Sequence, residues 1–322
     1  MRQDMASIVV PDDFPSVFFG GEAHARLKAL GEVRVFTERG ADQEAELIRR
    51  IGQAEAVINI RAHAKFTEAV FSACPALKLV SVWGTGVDNI DLAAAARHGV
   101  TVTNTPGVNA YAVAEHALAL MLAVARRIPL LDRQMRGGAW PRELLTQILG
   151  KTLGIFGLGA IGSRVASLGR AIGMQVLGWS ARGDADRVRA VGARPVSKEE
   201  LLRLADVVSL HLRLTPETTG FLGRAELALM KPTAILVNTG RGALVDRDPL
   251  LEVLREKRIL GAGLDVFHDE PIKPEDPLLA LPNVVLSPHI AGQTPEVIQD
   301  GLLRAVENVE NYLKGTPTNV VG

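Results

Sequence analysis

The sequence predicts an α/β protein of the doubly wound, parallel-sheet type. Three observations carry that expectation. Short β-branched, almost continuously apolar runs alternate with stretches of helical spacing through most of the chain. Strands of that kind suit parallel sheets covered on both faces. One such run leads through a glycine-rich turn, Gly157 to Gly162, straight into a helical stretch. At roughly 150 residues per domain, the 322 residues make room for two such sheets.

Taken in order, strands are expected first at Ser7–Val10, Ala56–Ile60, Leu77–Val82 and Val100–Thr103, with a helix at Glu44–Ile51. Asn104-Thr105-Pro106-Gly107 is a turn signal, and a long helix should follow from Ala110 to Arg127. Its most apolar part, Ala117–Ala125, is nine residues long. A membrane span needs about 20, so this reads as a buried helix. After a second helical piece and Gly150, strands are expected at Thr152–Phe156, Gln175–Trp179, Val207–His211, Ala234–Asn238, Gly261–Val266 and Val284–Ser287. Ser163–Ile172 and Pro249–Arg255 have helical spacing. Pro288 to Pro295, containing Gly292, breaks the pattern before a last helix at Pro295–Lys314.

Composition narrows the function classes. Lys and Arg number 36, against 36 Asp and Glu, so the formal net charge is zero. A nucleic-acid footprint needs a basic face and a polybasic anchor needs clustered cations; neither is expected. The single cysteine, Cys74, allows no internal disulfide and fits a reducing compartment. Met1 to Val10 lacks the long apolar core of a secretion signal, so a cytoplasmic protein is expected. No repeat of 20–50 residues is visible.

The turn after Phe156 reads Gly157-Leu158-Gly159-Ala160-Ile161-Gly162. In a dinucleotide site the first glycine makes the tight turn, the second lets the backbone approach a pyrophosphate, and the third lets helix and strand pack closely. Ala160 and Ile161 open the helix, whose free N–H groups and dipole favour phosphate. A strand before and a helix after are the context this motif requires. About 20 residues on, NAD sites usually place a carboxylate for the ribose 2′-hydroxyl. Here the strand ends Trp179-Ser180-Ala181-Arg182. A hydroxyl at Ser180 and a guanidinium at Arg182 accommodate a 2′-phosphate, which favours NADP over NAD.

Three further motifs follow expected strands: Asn238-Thr239-Gly240-Arg241-Gly242, Asp265-Val266-Phe267-His268-Asp269-Glu270-Pro271 and Ser287-Pro288-His289. In open α/β sheets ligands bind outside the carboxyl ends of strands. Together with Val82-Trp83-Gly84-Thr85-Gly86-Val87-Asp88-Asn89-Ile90-Asp91, these motifs resemble, over nearly the full length, the D-isomer-specific 2-hydroxyacid dehydrogenases. That group includes phosphoglycerate dehydrogenase and glyoxylate/hydroxypyruvate reductase.

The resemblance implies a Rossmann cofactor domain, residues 105–293, inserted in a flavodoxin-like substrate domain made of residues 1–104 and 294–322. It implies an NAD(P)-dependent oxidoreductase of CH–OH groups, moving hydride between nicotinamide and C2 of a small 2-oxo or 2-hydroxy acid. Arg241, Glu270 and His289 would be the catalytic trio. The imidazole of His289 suits acid/base work. Glu270 can orient its ring and favour the protonated form. Arg241 can bind the substrate carboxylate with its fork of donors. The Gly84–Gly86 loop would present backbone N–H groups to that carboxylate, with Thr85 and Gly86 as substrate-binding residues; the plain alternative is a βα turn with Asp88 as helix cap. Thr239, Gly240 and Asp265 join the cofactor site, Asp265 at the nicotinamide carboxamide or simply closing a strand-end turn. No metal is expected.

Departures from the family pattern bear on substrate. Phosphoglycerate-using members carry arginine two residues before the Gly-Thr-Gly position, where this chain has Val82, followed by the large Trp83. Both disfavour a phosphate pocket and favour a small or apolar 2-oxo acid, with hydroxypyruvate or glyoxylate accepted. Arg61 and Arg142 remain as further anion contacts or surface residues. No appended regulatory domain is expected after Gly322. The apolar helix around Ala112 to Val124, together with the family's habit, implies a homodimer, to which Trp140 could contribute. Phosphoglycerate dehydrogenase, or a nucleotide-sensing interaction protein like the corepressors of the same family, are the alternatives. Glu270 departs from the glutamine of the formate-oxidising relatives.

Overall fold

A computed structural model describes residues 6–60, 63–181 and 183–321. Arg61 and Arg182 lie outside the described residues. The chain divides into two compact units, Met1–Asn109 with Gln293–Gly322, and Ala110–Gly292.

The first unit begins as β1 (Ala6–Val10), α1 (Glu22–Lys28), β2 (Gly31–Val35), α2 (Glu44–Ile51), β3 (Ala56–Asn59), α3 (Glu68–Ala73), β4 (Leu79–Val82), α4 (Leu92–Arg97) and β5 (Thr101–Thr103). The five strands form one parallel sheet in the order β2-β1-β3-β4-β5, the flavodoxin-like winding. Side chains alternate across it. Val9, Val57 and Val80 meet Leu47 and Ile51 of α2 and Phe71 of α3; Ile8, Ile58 and Leu79 face the opposite core with Leu27 of α1. Sequence reading missed β2, because Glu32 and Arg34 interrupt its apolar residues. It is an edge strand, and outward charges on an edge discourage pairing with other chains. Asp91, not Asp88, caps α4, its carboxylate accepting from the Ala94 N–H at 2.8 Å.

The second unit follows as α5 (Ala110–Ala125), α6 (Ile128–Arg136), β6 (Thr152–Phe156), α7 (Ala160–Ala171), β7 (Gln175–Trp179), α8 (Ala185–Ala190), β8 (Arg194–Pro195), α9 (Lys198–Leu204), β9 (Val207–Leu210), α10 (Arg224–Leu227), β10 (Ile235–Asn238), α11 (Arg247–Arg255), β11 (Gly261–Leu264) and β12 (Val284–Leu286). Its sheet is parallel throughout, ordered β12-β11-β10-β9-β6-β7-β8. Counted from β6, that is the Rossmann winding with one added strand, and its order reverses between β6 and β9. β8 has two residues and escaped sequence reading by its brevity. One face of the sheet packs on α5 and α7 through Leu120, Val124, Val165 and Ile155. The other packs on α9 and α11 through Leu201, Leu251, Leu236 and Phe156.

The chain then returns to the first unit as α12 (Pro295–Leu313), started by the Thr294 hydroxyl. Leu302, Ala305, Val306 and Val309 cover the Ile8 face of the five-stranded sheet. Residues 104–109 also stay with this unit, and their hydrogen bonds explain why. Asn104 N donates to Asn319 O at 3.1 Å and Thr105 N to Gly84 O at 2.9 Å, while Asn308 Nδ2 donates to Asn104 O at 2.9 Å. Among the described residues no helix is long and apolar enough to cross a membrane.

Candidate active site

The glycine turn sits at the point where the second sheet reverses its order. Gly157 has φ of +92°, and a Cβ there would come within 2.6 Å of the His211 carbonyl oxygen, just past β9. Only glycine fits both demands. Gly162 lies so close to the Gly157 carbonyl that a side chain would collide with it. Gly159 differs: a Cβ there would meet open space. It begins α7 with no side-chain cap, leaving the first N–H groups and the positive end of a twelve-residue helix facing that space. Those features fit a pyrophosphate.

Past β7, a cavity of about 140 Å³ is lined by Gly178, Trp179, Ser180, Asp184 and Val196. Ser180 is half-buried at its wall. Thr239, at the end of β10, has a buried hydroxyl that meets no partner among the described residues. An orphaned polar atom of this kind calls for a ligand or water. The residues present therefore fit a dinucleotide.

His211 adds a pH-sensitive element. Its Nε2 lies 2.8 Å from Ser209 Oγ, and its Nδ1 is buried without a partner among the described residues. Burial pushes its imidazole down to about 4, so it is neutral in the folded chain at pH 7. The unfolded chain binds the proton from 6.5 downward. Stability is thus full above pH 6.5 and is lost as the pH falls towards the folded value. At about 1.4 kcal/mol per unit, the loss reaches about 3 kcal/mol. Thermal melts between pH 7 and 4 should show it, and His211→Gln should remove that part of the fall.

The three polar motifs converge at the carboxyl ends of β10, β11 and β12. After β10, Asn238 braces the turn, its Oδ1 accepting from Gly240 N at 3.0 Å and its Nδ2 donating to Arg241 O at 2.9 Å. Arg241 Nη1 donates to the Gly240 carbonyl at 2.8 Å. Gly242 packs so closely on the Phe267–His268 backbone that a side chain would collide with it, and this brings the Arg241 turn against the loop of Glu270. Glu270 Oε1 accepts from Phe267 N at 2.9 Å, and Oε2 lies 2.6 Å from His289 Nδ1. Burial works against the Glu270 charge. The His289 and Phe267 hydrogen bonds and the Arg241 charge outweigh it and hold the carboxyl below its ordinary value. A carboxylate therefore stands on Nδ1 of the imidazole, leaving Nε2 as the ring nitrogen free of that bond.

Asp265, just past β11, is wholly buried. Its Oδ1 accepts from Ser287 Oγ at 2.6 Å and Ile290 N at 3.0 Å, and its Oδ2 from Ala291 N at 3.0 Å. It fastens the loop that carries His289.

In the first unit, Gly84 N donates to Thr105 Oγ1 at 2.8 Å, and Asn104 Nδ2 donates to Thr85 O at 2.8 Å. Among the described residues no acceptor meets the N–H groups of Thr85 and Gly86, which leaves them open to an anion. Val82 is buried in the core. Trp83 lies in a notch of α12, where its indole fills the space a side chain at Gly301 would need. It braces the start of the loop from beneath. Arg142 is exposed in the second unit.

A family model described as D-isomer specific 2-hydroxyacid dehydrogenase, NAD binding domain, matches residues 118–291, more than half of the chain. The chain belongs to the D-isomer-specific 2-hydroxyacid dehydrogenase family. Glyoxylate reductase of Aeropyrum pernix is 46% identical over 262 residues, covering 78% of both chains. D-3-phosphoglycerate dehydrogenase of Archaeoglobus fulgidus is 40% identical over 288 residues, covering 89% of this chain and 54% of that one. The present chain thus spans about half the length of that relative. Among solved structures, an acyclic imino acid reductase in complex with NADPH and D-Arg superposes with a TM-score of 0.89 at 31% identity, covering 98% of this chain and 99% of the other. Membership makes this 2-hydroxyacid dehydrogenase an NAD(P)-dependent oxidoreductase of CH–OH groups.

Of the residues singled out in the dehydrogenase sequence, the structure brings Arg241, Glu270 and His289 together, and sets Gly157, Gly159, Ala160, Ile161 and Gly162 at the sheet's reversal point. Sequence reading missed Asn104, Thr105, Asn238 and Ser287 as supports. Asn104, Thr105 and Asn238 are buried polar residues at strand ends. A polar residue closing an apolar run was the available signal.

Proposed function

We propose that this dehydrogenase reduces a small 2-oxo acid to the D-2-hydroxy acid, with hydroxypyruvate and glyoxylate accepted, and that NADPH is its preferred reductant. The observation that carries the reading is the 2.6 Å contact of His289 Nδ1 with Glu270 Oε2, beside the Arg241 charge. A nicotinamide held there would supply the hydride for C2. His289, with Nδ1 turned to Glu270, delivers a proton from Nε2 to the C2 oxygen as charge develops there. Glu270 stabilises the protonated imidazole and fixes its plane. Arg241 holds the substrate carboxylate and polarises the carbonyl. In the first unit, the N–H groups of Thr85 and Gly86 are the proposed donors to a substrate carboxylate. A dinucleotide would be held on Gly157–Gly162, with Ser180, Arg182, Thr239 and Gly240 as its other contacts, while Asp265 fastens the His289 loop.

The NADP preference is supported by the strand end at Trp179, which carries a hydroxyl and a guanidinium in place of a carboxylate. The small-substrate reading is supported by Val82, where a phosphate-binding arginine is absent. A homodimer is supported by the exposed apolar side chains Tyr111, Ile128, Met135, Trp140, Leu144 and Leu149, apolar surface of the kind that association covers. Zero net charge and a lone cysteine support a cytoplasmic protein.

The deciding experiment is a panel of 2-oxo acids assayed with NADPH and with NADH. Turnover of glyoxylate or hydroxypyruvate with a higher kcat/KM for NADPH is expected. No oxidation of either cofactor across the panel would sink the reductase reading, and a preference for NADH would overturn the cofactor assignment. Arg182→Asp should then move the NADPH/NADH ratio towards NADH.

Glu270→Gln tests the electrostatics. Reduction needs a protonated His289, and the neutral amide no longer stabilises that charge. The rate of reduction should decline at lower pH than in the parent enzyme, and kcat should fall about 10- to 100-fold. A pH–rate profile that keeps its position would separate Glu270 from the proton on His289.

A further inference from the structure

We propose that His116 is a positioning residue for His289, acting through Ser287 and Asp265; this rests on the reading of His289 as proton donor. His116 reaches the site by register. β11 carries glycine at positions 261 and 263, so α5 packs directly on its backbone. A Cβ on Gly261 would lie 3.1 Å from Val124 Cγ1, and one on Gly263 2.8 Å from Leu120 Cβ. Four helical residues climb about 6 Å and two strand residues about 6.7 Å. As the strand advances from 261 to 263, the helix partner drops from 124 to 120. One more step sets residue 116 beside residue 265. There His116 Nε2 lies 2.7 Å from Ser287 Oγ and 3.5 Å from Asp265 Oδ1.

The direction of the bonds follows from counting protons. Ser287 Oγ donates its proton to Asp265 Oδ1 at 2.6 Å. A hydroxyl has one proton to give, so the hydrogen between His116 and Ser287 sits on His116 Nε2. The relay runs from Nε2–H to hydroxyl to carboxylate. The same carboxylate takes the N–H groups of Ile290 and Ala291, the two residues that follow His289. His289 itself has φ of +52°, a conformation a non-glycine residue keeps only when its surroundings impose it. Asp265 imposes it through those two amides, and the Ser287–His116 arm fixes where Asp265 stands. Small displacements of a proton donor cost large factors in rate.

His116→Phe keeps a ring of similar size and removes the donor. The expected result is a fall in kcat of about 10- to 100-fold with KM for the dinucleotide unchanged. His116→Gln, which restores an N–H, should recover most of it. Combining His116→Phe with Ser287→Ala should cost no more than Ser287→Ala alone, because both cut the same path. The second measurement needs no turnover. In protein labelled with ¹³C at histidine Cε1, the seven histidines give seven ring signals. The His289 signal, assigned by its loss in His289→Gln, should shift in His116→Phe and return in His116→Gln. An unmoved His289 signal, multiplicative losses in the double variant, or a lower Tm with kcat intact would each overturn the proposal and leave His116 a packing residue. An inactive parent enzyme would defeat the reductase reading while the ring signals still decide this one.

Discussion

Replacing His289 by alanine should lower kcat by about 10²–10⁴-fold while leaving dinucleotide affinity in place. The imidazole stands on the Glu270 carboxylate at 2.6 Å, so Nε2 is the nitrogen positioned to deliver the proton. Without it, the alkoxide forming at C2 must take a proton from water, and the barrier rises by about 3–5 kcal/mol. Dinucleotide binding depends on the glycine turn after β6, which His289 does not touch. Isothermal titration with NADPH checks the binding half, and steady-state kinetics the other. A kcat within threefold of the parent would remove His289 from proton transfer.

Arg241→Ala should raise KM for the 2-oxo acid and lower kcat together. Its guanidinium is held by the Gly240 carbonyl at 2.8 Å, and its turn is braced by Asn238. A fork of donors on a carboxylate contributes in the ground state, and polarisation of the carbonyl adds more as charge develops. Losing both should reduce kcat/KM by about 10³-fold or more. Arg241→Lys keeps the charge and loses the fork, so it should recover only part of the loss. A normal KM in Arg241→Ala would count against carboxylate binding. A normal kcat would count against the polarising role.

The parts of the fold that were legible in the sequence are those buried on both faces. Thr152–Phe156 and Gln175–Trp179 lie where expected, because a strand with no wet face is written as an unbroken apolar run. β2 was not legible for the converse reason: at an edge, Glu32 and Arg34 can face solvent. In the site, the glycine turn and the trio stood out as motifs. Their supports did not. Asp265 was visible as a residue, but nothing in the sequence says that its carboxylate collects three donors from a loop 22 to 26 positions away. His116 directly precedes the apolar run Ala117–Ala125 in the sequence, and only the register of α5 on β11 gives it a partner. Trp83 read only as a large residue disfavouring a phosphate pocket, whereas its indole fills the notch at Gly301. Which way a side chain points at the end of a strand depends on the pleat and on the helix beneath it, and neither is local in sequence.

The return of α12 to the first unit has a consequence for biosynthesis. Ala110–Gly292 is continuous, so its hydrophobic core can close once that stretch has left the ribosome. The five-stranded sheet is made earlier but cannot be finished then. Its Ile8, Ile58 and Leu79 face waits for Leu302, Ala305, Val306 and Val309, which are translated after the whole of residues 110–292. During that interval an apolar sheet surface is open to chaperones and to neighbouring nascent chains. The unit whose strands are synthesised before residues 110–292 is thus completed only after them.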